Sequence, residues 1–451
     1  MSLRVGVIGG GLAGIRASLD LAAKGHSVTL FERKNKLGGL TWSFERNGRS
    51  FDNGQHVFLR CCTTYIEFLR DISASGTVTL QKRLDVPVLS PGKKAAHIRR
   101  NALPAPAHLG LSLLTFSHVS ILDRLRLGPA VIGLMRLTLD DPKLDEISFG
   151  EWLKKHGQSK RAIERLFDLI TIATVNVCAD EASLALAARV FRTGLLDAND
   201  GGDLGWSKVP LTVLHHERPL AALKRQGVSV KLGMTVTSLS QNEKGWTVST
   251  KEGIEEFDAL VVALSPHGTK DLVGDDVVGD LDALGVSPIV NVHLIFDRRV
   301  MDLPFAAGVD SPVQFVFDHT GASGMNDGEG QALSISLSAA DDYIGQRPEV
   351  LIATFCQEIA KLFPKAKEAQ LLDAVVSREH RATFRGAPGQ GAFRPDAATK
   401  KRGLFLAGTF CNTGWPATME SALRSGRSAA SAVCAFEGAE QLVGVKETVA
   451  S

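Results

Sequence analysis

Leu3-Arg-Val-Gly-Val-Ile-Gly-Gly-Gly-Leu-Ala-Gly14 is the stretch that decides the fold. Residues 3–8 are short, apolar and rich in β-branched side chains, the texture of a buried strand. Gly9, Gly11 and Gly14 follow in the spacing GxGxxG, and residues 12–24 read as a helix that Gly25 stops. A second strand over 27–31 ends at Glu32. Each glycine has its own task in such a turn. Gly9 permits the tight turn, Gly11 lets the backbone approach a pyrophosphate, and Gly14 allows close packing of helix on strand. The phosphates then meet the positive end of the helix. Glu32 stands where a carboxylate accepts hydrogen bonds from ribose hydroxyls and repels a 2′-phosphate, which disfavours NADP. A purely structural Gly-rich turn is the alternative, and strand, helix and acid in register speak against it.

Working outward, Leu37-Gly-Gly-Leu-Thr41 offers a second close backbone approach to an extended dinucleotide, although alone it reads equally as a loop. The segment from Leu404 to Gly426 reads as strand, loop and a helix entered near Pro416, running to Val433. Set against an isoalloxazine ring, that helix N-terminus would put partial positive charge where negative charge collects on reduction. An ordinary amphipathic C-terminal helix is the alternative.

The rest of the chain sets bounds. At 451 residues it has length for roughly three domains. With 44% hydrophobic and 22% charged residues it is globular rather than disordered or fibrous. Lys and Arg number 51 against 49 Asp and Glu, a net +2 that advertises no nucleic-acid partner. Cys61, Cys62, Cys178, Cys356, Cys411 and Cys434 form no CxxC pair, so a reduced, cytoplasmic compartment and no metal site are expected. No signal peptide and no apolar run of about 18 residues is visible, so no membrane-spanning helix is expected. Neither GxSxG nor HExxH occurs, which leaves hydrolase and zinc readings without support.

Two apolar pieces, 109–122 and 127–139, read as helices separated by Asp123–Arg126 and Gly128-Pro129. The pattern stays helical over 151–192. Strands are expected over 227–232, 235–239, 246–250, 259–264, 290–296, 313–317, 332–337 and 403–408, with a helix over 348–362. His215-His216-Glu217 resembles a metal pair, but neighbouring histidines in an extended chain face opposite ways, so a solvated surface is expected. Arg99, Arg100, Arg124 and Arg126 stand beside the apolar helices and suit lipid headgroups or an ordinary charged face.

Together, GxGxxG with Glu32 and Leu37-Gly-Gly39, and Ala407-Gly408 with Thr413-Gly-Trp-Pro-Ala-Thr-Met-Glu-Ser-Ala422, resemble the FAD-dependent amine oxidase and carotenoid desaturase superfamily. Asp52-Asn-Gly-Gln-His-Val-Phe-Leu59 and Thr413–Met419 look most like its squalene-associated branch, the hydroxysqualene dehydroxylases. The resemblance implies an α/β fold: a Rossmann-like FAD-binding domain built from discontinuous segments (1–90, 206–285, 376–440) with a mixed α+β substrate domain. That domain would comprise a helical, membrane-facing region over 91–205 and a sheet and helix over 286–375, with a tail over 441–451. Gly9, Gly11 and Gly14 would hold the pyrophosphate of FAD, Glu32 the adenosine ribose, and Val236 the adenine. Gly39 and Leu40 would lie along the cofactor, and Gly408, Thr409, Thr418, Met419 and Ala422 would meet its ribityl chain and ring. Relatives usually carry Asp where Thr409 stands, which changes the local charge.

The implied activity is reduction of hydroxysqualene to squalene with loss of water, in squalene and hopanoid synthesis. Desaturation of a carotenoid precursor, oxidation of an amine or porphyrinogen, and a non-catalytic scaffold are the alternatives. His56 is the first candidate proton donor, with a core histidine as the other reading. The expected partners are an apolar isoprenoid, an electron donor outside the chain, other squalene-synthesis enzymes and, peripherally, the cytoplasmic membrane.

Overall fold

The computed structural model describes residues 2–326 and 328–449. The N-terminal unit forms as its glycines foretell: β1 (Arg4–Ile8), α1 (Leu12–Ala23) and β2 (Ser27–Glu32). β1 is the centre of a five-stranded sheet in which every neighbour pair is parallel, in the order Ser229–Leu232, β2, β1, Ala259–Val262, Leu404–Leu406. Such a sheet is covered on both faces, and Val5, Val7, Leu30 and Val261 are accordingly buried. α1 packs beside the C-terminal helix Met419–Val449. The approach is so close that a Cβ on Gly426 would stand 2.2 Å from the Ala13 carbonyl oxygen. An antiparallel meander, Val236–Asn242, Gly245–Thr250 and Gly253–Phe257, lies between two of the parallel strands in the chain. Its third strand was not foreseen.

The second sheet has seven strands, in the order Leu371–Thr383, Ser287–Phe296, Gln331–Leu337, Phe315–Asp318, Phe305–Gly308, Asp85–Leu89, Ala96–Arg99. Alternation along Ser287–Phe296 gives its two faces different duties. Val290, Val292 and Leu294 pack with Leu351, Phe355 and Ile359 of helix Pro348–Leu362. Asn291 and His293 turn the other way, toward Phe51 to Gln55. A helical layer, including Phe149–Lys155, Asp168–Val175 and Leu184–Phe191, gathers around Phe149, Phe167 and Phe191. Among the described residues no helix is long and apolar enough to cross a membrane.

Several boundaries differ from the expectation. The two apolar pieces become Gly110–Leu114 and Ile121–Arg136, with the break at 115–120. Ser120 and Asp123 form a reciprocal cap, each side chain accepting the other's backbone N–H at 3.1 Å, and this fixes where the longer helix starts. Gly128 and Pro129 sit inside it, on its exposed side. The final helix begins at Met419 rather than near Pro416, because the Thr418 hydroxyl caps it by accepting Ser421 N–H (3.2 Å). It continues past Val433 to Val449, and residues 450 and 451 of the expected tail lie outside the described residues. Asp85–Leu89 joins the second sheet, and Leu371–Thr383 runs on through residue 376.

Candidate functional site

Around the first turn, sterics separate the three glycines. A Cβ at Gly9 would lie 2.3 Å from the Ala263 carbonyl oxygen, and one at Gly14 would lie 1.9 Å from that of Gly9. At Gly11 the nearest atom would be the Gly39 Cα, 3.9 Å away. The first two are pressed into the fold, whereas at Gly11 a methyl would make only an ordinary van der Waals contact. No side chain caps α1, so its N-terminal amides stay available to an anion beside Gly11. Gly38 N–H donates to the Gly10 carbonyl (2.8 Å), which brings the second glycine pair against the first. Asn53 Nδ2 donates to the Leu40 carbonyl (2.6 Å) and steadies that loop.

Glu32 is buried at the end of β2. Its two carboxylate oxygens accept the N–H groups of Gly10 (2.7 Å) and Lys34 (2.8 Å), which holds it still and leaves each oxygen a further lone pair. Met234 N–H donates to the Glu32 carbonyl (2.9 Å), so the strand starting at Val236 leaves from beside this acid. Gly9, Gly11, Gly14, Glu32, Gly39, Leu40 and Val236 thus share one edge of the sheet. An open cradle, an uncapped helix end and a fixed carboxylate fit a dinucleotide.

The C-terminal segment meets this edge at Leu264, which a Cβ on Gly9 would approach to 3.1 Å and a Cβ on Gly408 to 3.3 Å. Gly408 N–H donates to Ser425 Oγ (2.8 Å), tying its loop to the helix on which Met419 and Ala422 lie. Under the loop sits Arg394, which sequence reasoning missed. Its buried guanidinium donates to the carbonyls of Thr409 (3.3 Å), Phe410 (3.4 Å) and Cys411 (2.6 Å). Burial lowers its pKa to about 10, so it remains a cation at neutral pH. No carboxylate pairs with it among the described residues. A fixed positive charge therefore lies beneath the position where Thr409 replaces the usual acid.

Beside the second glycine pair stands a polar cluster. His56 Nδ1–H donates to the Gly54 carbonyl (2.7 Å), and burial lowers its pKa below 6.5, so the ring is neutral with Nε2 as an acceptor. Gln55 Oε1 is buried without a protein partner. The expectation of a solvated His215-His216 pair is wrong. Val213–Glu217 is a π-helical turn, not extended chain, and it drives His215 fully inside. There His215 Nε2 and the Tyr65 hydroxyl share a hydrogen bond (2.9 Å), and burial followed by repulsion from His56 pushes the His215 pKa down to about 3. His216 Nδ1 accepts Leu37 N–H (3.0 Å) and so anchors the Leu37-Gly-Gly39 loop. Buried Glu420 accepts the N–H groups of Thr64 (3.2 Å) and Tyr65 (2.8 Å) and pairs with Arg424 (2.7 Å), joining the C-terminal helix to Thr63–Asp71. Its only signal in the sequence was a place in the Thr-Met-Glu-Ser run.

All six cysteines are free, and no group of three or more metal-ligating side chains occurs among the described residues. Of the two readings for Arg99 and Arg100, lipid headgroups or an ordinary charged face, their ion pairs with Asp85 (2.6 Å) and Asp203 (2.7 Å) favour the second.

Comparison with known proteins fits this geometry. The family model of flavin containing amine oxidoreductases matches residues 12–434. Zeta-carotene desaturase of Solanum lycopersicum is 26% identical, over 99% of this chain and 83% of that protein. Hydroxysqualene dehydroxylase of Rhodopseudomonas palustris is 28% identical, over 96% of this chain and 99% of that protein. Among solved structures, cyclohexylamine oxidase from Brevibacterium oxydans shares the fold at a TM-score of 0.72 and 18% identity, over 98% of this chain and 100% of that one.

Proposed function

Because the chain belongs to the flavin-containing amine oxidoreductases, and is an FAD-dependent oxidoreductase, we propose that it reduces hydroxysqualene to squalene with loss of water. Gly9, Gly11 and Gly14 would hold the pyrophosphate on the uncapped end of α1, Glu32 the ribose and Val236 the adenine. Gly39 and Leu40 would follow the cofactor's length, and Gly408, Thr409, Thr418, Met419 and Ala422 its ribityl chain and ring. When bound, the flavin supplies a hydride to carbon and is itself oxidised. The remaining balance is one proton in and one water out.

The observation that carries this reading is a pair of acceptors: buried, unpartnered Gln55 Oε1, and His56 Nε2, which stays free when Nδ1 carries the proton. A polyene hydrocarbon has no hydrogen to give them, whereas an allylic hydroxyl does. Proton delivery falls to His56 in its minority protonated form, a strong acid because burial disfavours its charge. The apolar isoprenoid, a separate reductant, other squalene-synthesis enzymes and a cytoplasmic setting complete the reading. The match to a zeta-carotene desaturase along 99% of the chain favours a second one, desaturation of a carotenoid precursor.

Chemically reduced, oxygen-free enzyme is expected to convert hydroxysqualene to squalene in one turnover while flavin absorbance returns. In D2O one deuterium should appear at the former carbinol carbon. His56→Ala should slow this about 10²–10⁴-fold, and the wild-type rate should fall as pH rises through the range above the lowered imidazole pKa. Oxidised enzyme bleached by phytoene or zeta-carotene, together with no response to hydroxysqualene, would move the protein to the desaturases.

A further inference from the structure

Helix Ile121–Arg136 has two apolar faces. Leu127, Ala130 and Leu134 are buried in the helical layer. Ile121, Leu122, Leu125, Ile132 and Met135 point outward, with exposures from 39% at Met135 to 71% at Ile121. At 100° per residue these five fall within an arc of about 140°, one stripe roughly 21 Å long. Leu111 and Leu114 of the preceding helix are exposed as well. Arg124 ties the two helices together, donating to the carbonyls of Leu114 (3.2 Å) and Val119 (3.2 Å). One exposed leucine needs no explanation, but seven large apolar side chains on one hairpin do.

Charge identifies what covers them. Arg124, Arg126 and Arg136 border the stripe, and Asp123, buried in the helix cap, is the sole acid between residues 110 and 139. Arg126 and Arg136 form no ion pair among the described residues. An apolar centre with a cationic rim is how a helix lies in the interface of an anionic bilayer. A second copy docked on the same face would set these arginines against their own counterparts. The turn between the helices is held by Arg161 and Arg165, both donating to the His118 carbonyl (3.4 and 2.9 Å). Arg165 also lines a cavity of about 340 Å³ with Glu164, Asp168, Leu169, Ile172 and Phe315.

We propose that the hairpin 110–136 is a docking surface for an anionic lipid bilayer. The inference stands on this surface alone, whichever isoprenoid the enzyme takes.

Flotation of the full-length flavoprotein tests it, with vesicles of phosphatidylcholine alone or with one third phosphatidylglycerol. The protein should float with both and bind the anionic vesicles more tightly. Leu125→Asp with Ile132→Asp should lower binding to both at least about tenfold. Arg126→Gln with Arg136→Gln should lower affinity about fivefold per arginine on anionic vesicles and leave the neutral ones unchanged. These positions are exposed, so melting temperature and bound flavin should hold; if the aspartates disturb the fold, the arginine pair, which spares the stripe, decides. Wild-type protein remaining at the bottom with both vesicles would overturn the proposal. So would an unaltered arginine variant, or a dimer that the aspartate variant splits, which would make the occupant a second copy.

Discussion

Among single residues, buried charges carry the sharpest consequences. Arg394 supplies hydrogens to three carbonyls of the Thr409–Cys411 loop, and Met of similar length supplies none. Arg394→Met should cost about 2–4 kcal/mol, read by denaturant unfolding, because the carbonyls stay buried and lose their donor. A loss under about 0.5 kcal/mol would mean that the loop finds other donors. Asp168 acts in the opposite direction. Burial first, then Asp180 and Glu164, raise its pKa from 3.8 to about 6. Well below pH 3.8 it is protonated folded or unfolded and costs nothing. As pH rises toward 6 the unfolded chain ionises first, and above 6 the full penalty is present. Asp168→Asn should therefore stabilise by about 1–2 kcal/mol at pH 8, after allowance for partial exposure, and by nothing at about pH 2.5. A gain independent of pH would refute this origin. Neither residue could be read from sequence, nor could His215. Glu32 could, because its distance from GxGxxG is set along the chain, whereas Arg394, Asp168 and His215 owe their properties to burial, which only the folded chain brings about.

At the scale of elements, local chemistry explains which boundaries were legible. α1 and β2 were, since glycines punctuate them and the helix end carries the ligand chemistry. The hairpin was misread because Pro129 seemed a stop, yet on the exposed side of a helix already begun by the Ser120 cap a proline is accommodated. The Val213–Glu217 turn was misread because its histidines lack any periodic signature. α1 also gives a clean contrast. Gly11→Ala should leave the apoprotein melting within about 0.5 kcal/mol of wild type, since its methyl would meet no clash, but should weaken FAD at least about tenfold. Gly14→Ala should destabilise by about 1–3 kcal/mol or more, its Cβ being driven into the Gly9 carbonyl. Paired calorimetry and flavin titration separate the two. Equal melting losses would mean that Gly11 is structural too.

Over the whole molecule, the two sheets hold the site between them through Phe51 to His56, whose backbone is tied to Asn291 of the second sheet and whose motif follows the glycine loops of the first. That duality was invisible in the sequence, where the segment read as a motif without an address. The five parallel strands come from residues 4–8, 27–32, 229–232, 259–262 and 404–406, with the second sheet's longest strands coded between the last two. A ribosome making this chain must therefore deliver everything up to residue 406 before Leu404–Leu406 can dock beside Ala259–Val262. Until then the nascent protein carries an uncovered apolar edge and half a flavin cradle, since Gly408 and Thr418 have yet to emerge. Contacts this distant in sequence close slowly. Cofactor loading accordingly waits until Gly408 and Thr418 have emerged, and the waiting chain is a natural client for a chaperone.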